Sequence, residues 1–229
     1  MLISETDKFK VIRPILGQET EDLYNMPSIK KDNYSSIDFE ELKIVDAQKI
    51  KEDSNNSLAL MFNADKVLDR YWNNPLKYLA KFQLCKAVST PDFSVYPGMH
   101  IMEIQHNVFK NRWLGVTWQN AGNIVLPTIQ WGTKETYDIC FSGVEEGCIV
   151  VISTLGCQHK KEEFLEGFFE MKKRIKPPLI IVFGDMIEGM TGRFINFKYE
   201  DIFTQKELQL KLKEFRQVFE REEVMSNGK

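Results

Sequence analysis

From residue 58 onward the chain alternates short, largely apolar runs with polar or helically spaced stretches. The runs are Leu58 to Phe62, Cys85 to Val88, Ile124 to Ile129, Cys148 to Ile152 and Leu179 to Phe183. Apolar runs of this length, without polar alternation, read as strands buried on both faces. Between them, Lys161 to Arg174 places Phe164, Leu165, Phe168, Phe169 and Met171 on one helical face. Residues 100 to 119 form a second helical stretch, with Ile101, Gln105, Val108, Arg112 and Gln119 on one stripe and Gly115 as a weak point. Strands alternating with helices predict an α/β protein: a mostly parallel sheet of at least five βα units, with right-handed crossovers. An open doubly wound sheet and a partial or irregular βα barrel give the same local pattern, so both stay open. Pro127 lies inside one run and suits an edge strand or a strand's last residues.

The flanks differ in texture. Residues 17 to 57 are rich in Asp, Glu, Lys, Asn and Ser, with short apolar islands such as Leu42 to Val45. The expected organisation is an irregular segment, 1–57, packed on an α/β core, 58–186, followed by a C-terminal extension, 187–229. In that extension Leu208, Leu212, Phe215 and Phe219 give an amphipathic helix over Gln205 to Glu223. It is expected to dock on its own domain in preference to forming a homodimer seam, which needs more heptads.

Composition narrows the function classes. The chain has 229 residues, 43% hydrophobic and 28% charged, as a folded domain of this size should. A net charge of −3 gives no global attraction to nucleic acid or anionic membrane, so a nucleic-acid partner is disfavoured. No stretch approaches the ~18 apolar residues of a membrane span, and the N-terminus has no signal-peptide pattern, so a cytoplasmic location is expected. Cys85, Cys140, Cys148 and Cys157 form no CxxC pair; free thiols, no metal and no cofactor are expected.

The chemistry-bearing residues gather where strands end. Asn63 and Asp65 follow the first run; Thr90, Asp92 and Ser94 the second; Gln130, Trp131 and Thr133 the third; Ser153, Thr154 and Gly156 the fourth; Gly184 and Asp185 the fifth. In parallel α/β folds ligands bind beyond these carboxyl ends. Each polar residue taken singly is an ordinary helix cap, and capping or turn duty is favoured for Ser94, Thr133 and Asp185. Asp92 stands apart because Pro91 fixes its approach, making it the best candidate for a catalytic role. A buried Arg112 needs a partner: Asp65 or Asp92 in an internal pair, or a ligand phosphate. Trp113, Trp118 and Trp131 belong to the core or to a ring-binding wall. The candidate ligand-binding set is therefore Asp65, Thr90, Asp92, Ser94, Arg112, Trp113, Gln119, Trp131, Ser153 and Thr154. No phosphate-binding glycine loop, zinc-protease helix or nucleophile elbow is present.

Four strings, "TPDFSVY", "NRWLGVTWQNAGNIVLPTIQW", "GCIVVISTLG" and "EGFFEMKKRIKPPLIIVFGD", resemble a bacterial and phage family of unknown function found in prophages and mobile elements. Its TPDFS, RWLGxxWQ and PTxxW motifs carry over to Thr90, Pro91, Asp92, Phe93, Ser94, Arg112, Trp113, Gly115, Trp118, Gln119, Pro127, Thr128 and Trp131, and the resemblance also takes in Ser153, Thr154 and Gly184. It covers about 58–186 and implies a site location and a mobile-element context. Two functions are carried forward. One is a pocket for a nucleotide-like or phosphorylated small molecule, with or without catalysis. The alternative is an interaction protein that binds a host or defence factor.

Overall fold

A computed structural model describes residues 13–14, 17, 19–20, 22–204 and 206–207. Strands β1 (Lys43–Asp46), β2 (Ser57–Leu60), β3 (Ala87–Ser89) and β4 (Val125–Leu126) form one parallel sheet in that order. Strands β5 (Val150–Ser153), β6 (Ile180–Phe183) and β7 (Phe194–Phe197) form a second, also parallel. The two are stitched together just past β4. There Ile129 N–H donates to the Val151 carbonyl and Val151 N–H to the Pro127 carbonyl, both at 2.9 Å. Pro127 thus sits at the exit of a two-residue strand, where its missing N–H costs no ladder bond. Helices α1 (Asp65–Asn73), α2 (Leu79–Phe82), α3 (Ile101–Asn120), α4 (Tyr137–Cys140) and α5 (Lys161–Ile175) fill the connections from β2 to β6.

The protein is α/β, and the strand order resolves the architecture. Strands follow one another in chain order with no reversal, so there is no switch point of the doubly wound kind. The sheet also curls. Phe62, just after β2, stacks on Phe183 of β6 with ring centroids 5.0 Å apart. Four ladder steps in a flat sheet would separate them by about 19 Å at ~4.8 Å per step. Alternate residues of each strand therefore meet inside: Leu58, Leu60, Ala87, Leu126, Val151, Ile181 and Phe183 share one cluster. Their outward neighbours Ala59, Val88 and Val125 pack beneath Trp113, Leu114 and Trp118 of α3. Val150, Ile152, Ile180 and Val182 pack beneath Phe164, Phe168 and Met171 of α5. This is an incomplete (βα) barrel; among the described residues no pairing joins β7 to β1.

Two regions differ from the sequence expectation. The segment read as irregular supplies β1, whose apolar island is too short and too mixed with charge to announce a strand. The segment read as extension supplies β7 (Phe194–Phe197), half exposed as an edge strand should be. Residues 34–42 plug the amino end of the barrel with Tyr34, Ile37 and Leu42, and the Tyr34 hydroxyl accepts from Ile149 N–H. The helix α3 runs continuously through Gly115, where the missing side chain lets Ile29 and Thr90 pack against the helix: a Cβ there would lie 2.4 Å from Ile29 and 2.8 Å from Thr90. The amphipathic helix expected over 205–223 falls almost wholly outside the described residues.

Candidate functional site

A cavity of about 430 Å³ opens at the carboxyl ends of the strands. Phe62, Phe183, Tyr199 and Phe203 line it together with Asp65, Asp92, Ser94, Tyr96, Gln130, Trp131, Ser153, Cys157, Lys160 and Glu163. Phe62, Phe183 and Phe203 also belong to the barrel interior, so the packed core forms the cavity floor. Strand–loop–helix units bring the polar groups here by construction, since each strand delivers its last residues to the same rim.

Asp65 opens α1 but caps nothing; its carboxylate reaches across to the β3 loop. It accepts from Ser94 Oγ at 2.9 Å and from Ser94 N–H at 3.1 Å. The Tyr96 hydroxyl lies 3.2 Å from Ser94 Oγ, and Asn107 Nδ2 donates to the Ser94 carbonyl at 2.7 Å. Burial raises the Asp65 pKa above the ordinary carboxylate value, outweighing the bonds from Ser94 that favour the anion.

Asp92 is placed by a rigid approach. Asn111 Nδ2 donates to the Pro91 carbonyl at 2.8 Å, and Asp92 N–H donates to the Met61 carbonyl at 3.1 Å. Its carboxylate accepts a short hydrogen bond from Gln130 Nε2. Nearby, burial and the negative charge of Asp92 push the Cys157 thiol up to about 12. A thiol that weakly acidic is no nucleophile at neutral pH.

The walls are fitted closely. Trp131 packs on Phe164 with centroids 5.0 Å apart and on Phe141 at 6.0 Å. Helix α5 passes directly behind it: a Cβ on Gly167 would sit 2.2 Å from Trp131 Cδ1. On the opposite side the Tyr199 hydroxyl lies 3.2 Å from Ser153 Oγ, and burial raises its pKa. Gly184, at φ +117°, gives Tyr199 its room; a Cβ there would come within 2.3 Å of the hydroxyl.

Asp65, Asp92, Ser94, Trp131 and Ser153 of the expected set line the cavity. The other five do not. Thr90 is fully buried; its hydroxyl donates to Asn111 Oδ1 and accepts from Thr128 N–H, tying β3 to α3 and to the end of β4. Arg112 lies in the interior and meets neither Asp65 nor Asp92 in an ion pair. Its guanidinium donates to the carbonyls of Ser142 (2.9 Å), Cys140 (2.7 Å) and Thr128 (3.4 Å) and to Asn111 Oδ1 (2.5 Å). Desolvation lowers its pKa to about 10, so it stays charged near neutrality, held by carbonyl dipoles. Trp113 donates its indole N–H to the Pro14 carbonyl and packs edge-on to Trp72. Gln119 fastens the N-terminal segment, donating to the Lys30 carbonyl and Asp32 while accepting from Lys30 N–H. Thr154 is buried, with its backbone bridging Phe183 and Cys157. The stripe shared by Arg112 and Gln119 is real, but it faces the interior and the N-terminal segment.

Several lining residues escaped sequence reasoning. Lys160, Glu163 and Phe164 come from the start of α5, and Tyr199 and Phe203 follow an unrecognised strand. The alternating "RFINFKY" was the available signal for the latter pair. Among the described residues, no group of three or more His, Cys, Asp or Glu side chains is placed to hold a metal ion. Among the same residues, no helix is long and apolar enough to cross a membrane.

Comparison with known proteins places this geometry in a family context. Residues 18–201 match the family described as a domain of unknown function, DUF4417. The "Gene 1 protein" of Mycobacterium phage D29 is 29% identical over 184 residues, covering 79% of this chain and 68% of that protein. The "Gene 1 protein" of Mycobacterium phage L5 is 35% identical over 135 residues, covering 57% of this chain and 59% of that protein. The chain thus spans less than two thirds of the L5 relative. No solved structure matches.

Proposed function

Because the chain belongs to the DUF4417 family of unknown function, its role has to be read from its own cavity, and we propose that this cavity binds a nucleotide-like small molecule through its ring. The observation that carries the reading is the pairing of aromatic walls with polar strand ends around one space. At about 430 Å³ the cavity is in the size range of small-molecule sites. Trp131, Tyr96 and Phe62 line the space with aromatic rings, and Asp92, Gln130 and Ser153 line it with polar groups, the combination that a ring with a polar edge needs. This reading claims binding and no particular reaction. As a phage-type protein with such a ligand, it would work in the host cytoplasm.

The test is calorimetric titration with a panel of nucleosides and nucleotides. Saturable binding is expected for at least one of them, weakened at least ~10-fold by Asp92→Asn through loss of a hydrogen bond to a charged group. If no member of the panel binds at millimolar concentration, the reading fails, and a host-protein partner becomes the reading to pursue.

A further inference from the structure

We propose that residues 208–223, beyond the described part of the chain, dock as a helix over the opening between β7 and β1 and close the barrel. The inference concerns the scaffold and stands whether or not the cavity takes a nucleotide-like ligand.

The opening is bounded by two strand edges. Among the described residues β1 pairs with β2 alone and β7 with β6 alone. Ile44 of β1 and Ile195 and Phe197 of β7 pack, only partly buried, against the same interior cluster. The gap therefore leads to apolar core. Native sheets protect such edges, and a covering helix is one of the usual means. On either side helices are already in place. Val45 of β1 packs in the cluster that holds Leu68 and Tyr71 of α1, and Phe194 of β7 lies 6.2 Å from the Phe168 ring of α5.

The chain itself heads for the seam. Phe203 packs beside Phe183 in the interior cluster, and a helix starts directly after it. Thr204 Oγ1 accepts from Glu207 N–H at 3.3 Å, and the Glu207 carboxylate accepts from Thr204 N–H at 2.8 Å, which is a capping box. The same carboxylate meets Lys49 Nζ at 3.2 Å, just past the carboxyl end of β1. The first turn thus reaches from the end of β7 to the end of β1. In a βα unit the helix after a strand packs back onto the sheet, over that strand and its neighbour. Across the gap that neighbour is β1. The sequence beyond supplies the apolar face, with Leu208, Leu212, Phe215 and Phe219 on one helical stripe. A helix over 208–223 would run about 24 Å. That exceeds the four-residue edge strands, about 13 Å long at ~3.3 Å per residue.

The experiment places the photoreactive residue p-benzoylphenylalanine at position 215 of the full chain and maps its crosslinks by peptide mass spectrometry. Crosslinks within one chain, to 43–46 or 194–197, are expected. Crosslinks to other segments, crosslinks between two chains, or none at all overturn the proposal; the interchain result would make the tail an interface between copies. A second arm combines Leu212→Asp with Phe215→Asp and follows hydrogen exchange. Amides of β1 and β7 are expected to exchange at least ~10-fold faster while those of β3 and β5 keep their rates, because only the seam loses its cover. Edge strands that exchange at the parent rate overturn the proposal. Should the double change unfold the whole chain, seen as a uniform loss of protection, the crosslink map decides alone.

Discussion

Replacing Gly167 with alanine sets two effects of known sign against each other. In a helix interior the exchange is favourable by ~1 kcal/mol, because alanine loses less backbone entropy. Here the new methyl would lie 2.2 Å from Trp131 Cδ1 and 2.3 Å from Nε1. Normal carbon contacts are about 3.5–4.0 Å, so the indole would have to retreat by about 1.3 Å or more. Phe164 and Phe141 hold it on either side, and the cavity is the open direction. Forced repacking of this kind typically costs ~1–3 kcal/mol. The net expectation is a loss of about 0–2 kcal/mol, together with a tryptophan ring displaced into the ligand space. Urea unfolding measures the first. The second is read from ¹⁹F spectra of fluorotryptophan-labelled protein, with Trp131→Phe assigning the resonance. A gain of the full ~1 kcal/mol with an unmoved Trp131 signal would show that α5 and Trp131 are not packed as described, and the cavity wall with them.

The remaining expectations follow from the same geometry. Asp92→Asn should cost less than Arg112→Met in a denaturant melt, since the Arg112 guanidinium is held by carbonyls and Asn111 and does not depend on Asp92; a loss as large as that of Arg112→Met would make Asp92 the structural partner. Arg112→Met should cost roughly 2–5 kcal/mol by leaving buried carbonyls of Ser142 and Cys140 unpaired; a melt within 1 kcal/mol of the parent would show those carbonyls satisfied elsewhere. The Asp65 pKa is raised in the folded chain, so its contribution to stability is fully present below the ordinary carboxylate pKa and is lost as pH rises through the folded value. Asp65→Asn should therefore flatten the stability–pH curve above pH ~4, and an unchanged slope refutes the burial argument. Finally, with its thiol near 12, Cys157 should alkylate about a thousandfold more slowly at pH 8 than an unfolded thiol, and faster in Asp92→Asn. Peptide mass spectrometry after iodoacetamide treatment decides it.

The sheet was legible where strands are buried on both faces. All five predicted apolar runs hold strands, and two of the three predicted helices hold α3 and α5, the third lying almost wholly outside the described residues. The edge strands were not legible. Lys43–Asp46 mixes charge with two apolar residues, and Phe194–Phe197 leaves its side chains half exposed, so neither reaches the density that marks a central strand. Barrel curvature was hidden for a different reason. It depends on which strand lies beside which, and nothing in a local pattern distinguishes neighbours in chain order from a reversed order.

The site was legible by position and misleading by residue type. Topology alone brings Asp65, Asp92, Ser94, Trp131 and Ser153 to one cavity at the strand carboxyl ends, whereas Thr90 and Thr154, picked by the same rule, are buried. Reasoning from chemistry added Arg112, Trp113 and Gln119, on the ground that a charge or a large ring in an apolar stripe wants a ligand. The structure shows why that step misleads. Backbone carbonyls are a partner class with no sequence signature, and Arg112 finds three of them where α4 ends and the β4 strand turns toward β5. The same partners serve Trp113 at Pro14 and Gln119 at Lys30. The densest motif, Arg112 to Gln119, therefore describes how α3 is clamped between the barrel and the N-terminal segment. The Thr90–Ser94 motif does both jobs by turns: Thr90 and Phe93 are buried, while Asp92 and Ser94 face the cavity. Substitutions should sort accordingly. Changes at Thr90, Phe93 or Arg112 should lower stability whether or not a ligand is present, and changes at Asp92 or Gln130 should alter affinity with little change in the melt. A variant at Arg112 that folds as stably as the parent and yet loses ligand would break that division, and would return the buried guanidinium to the binding site.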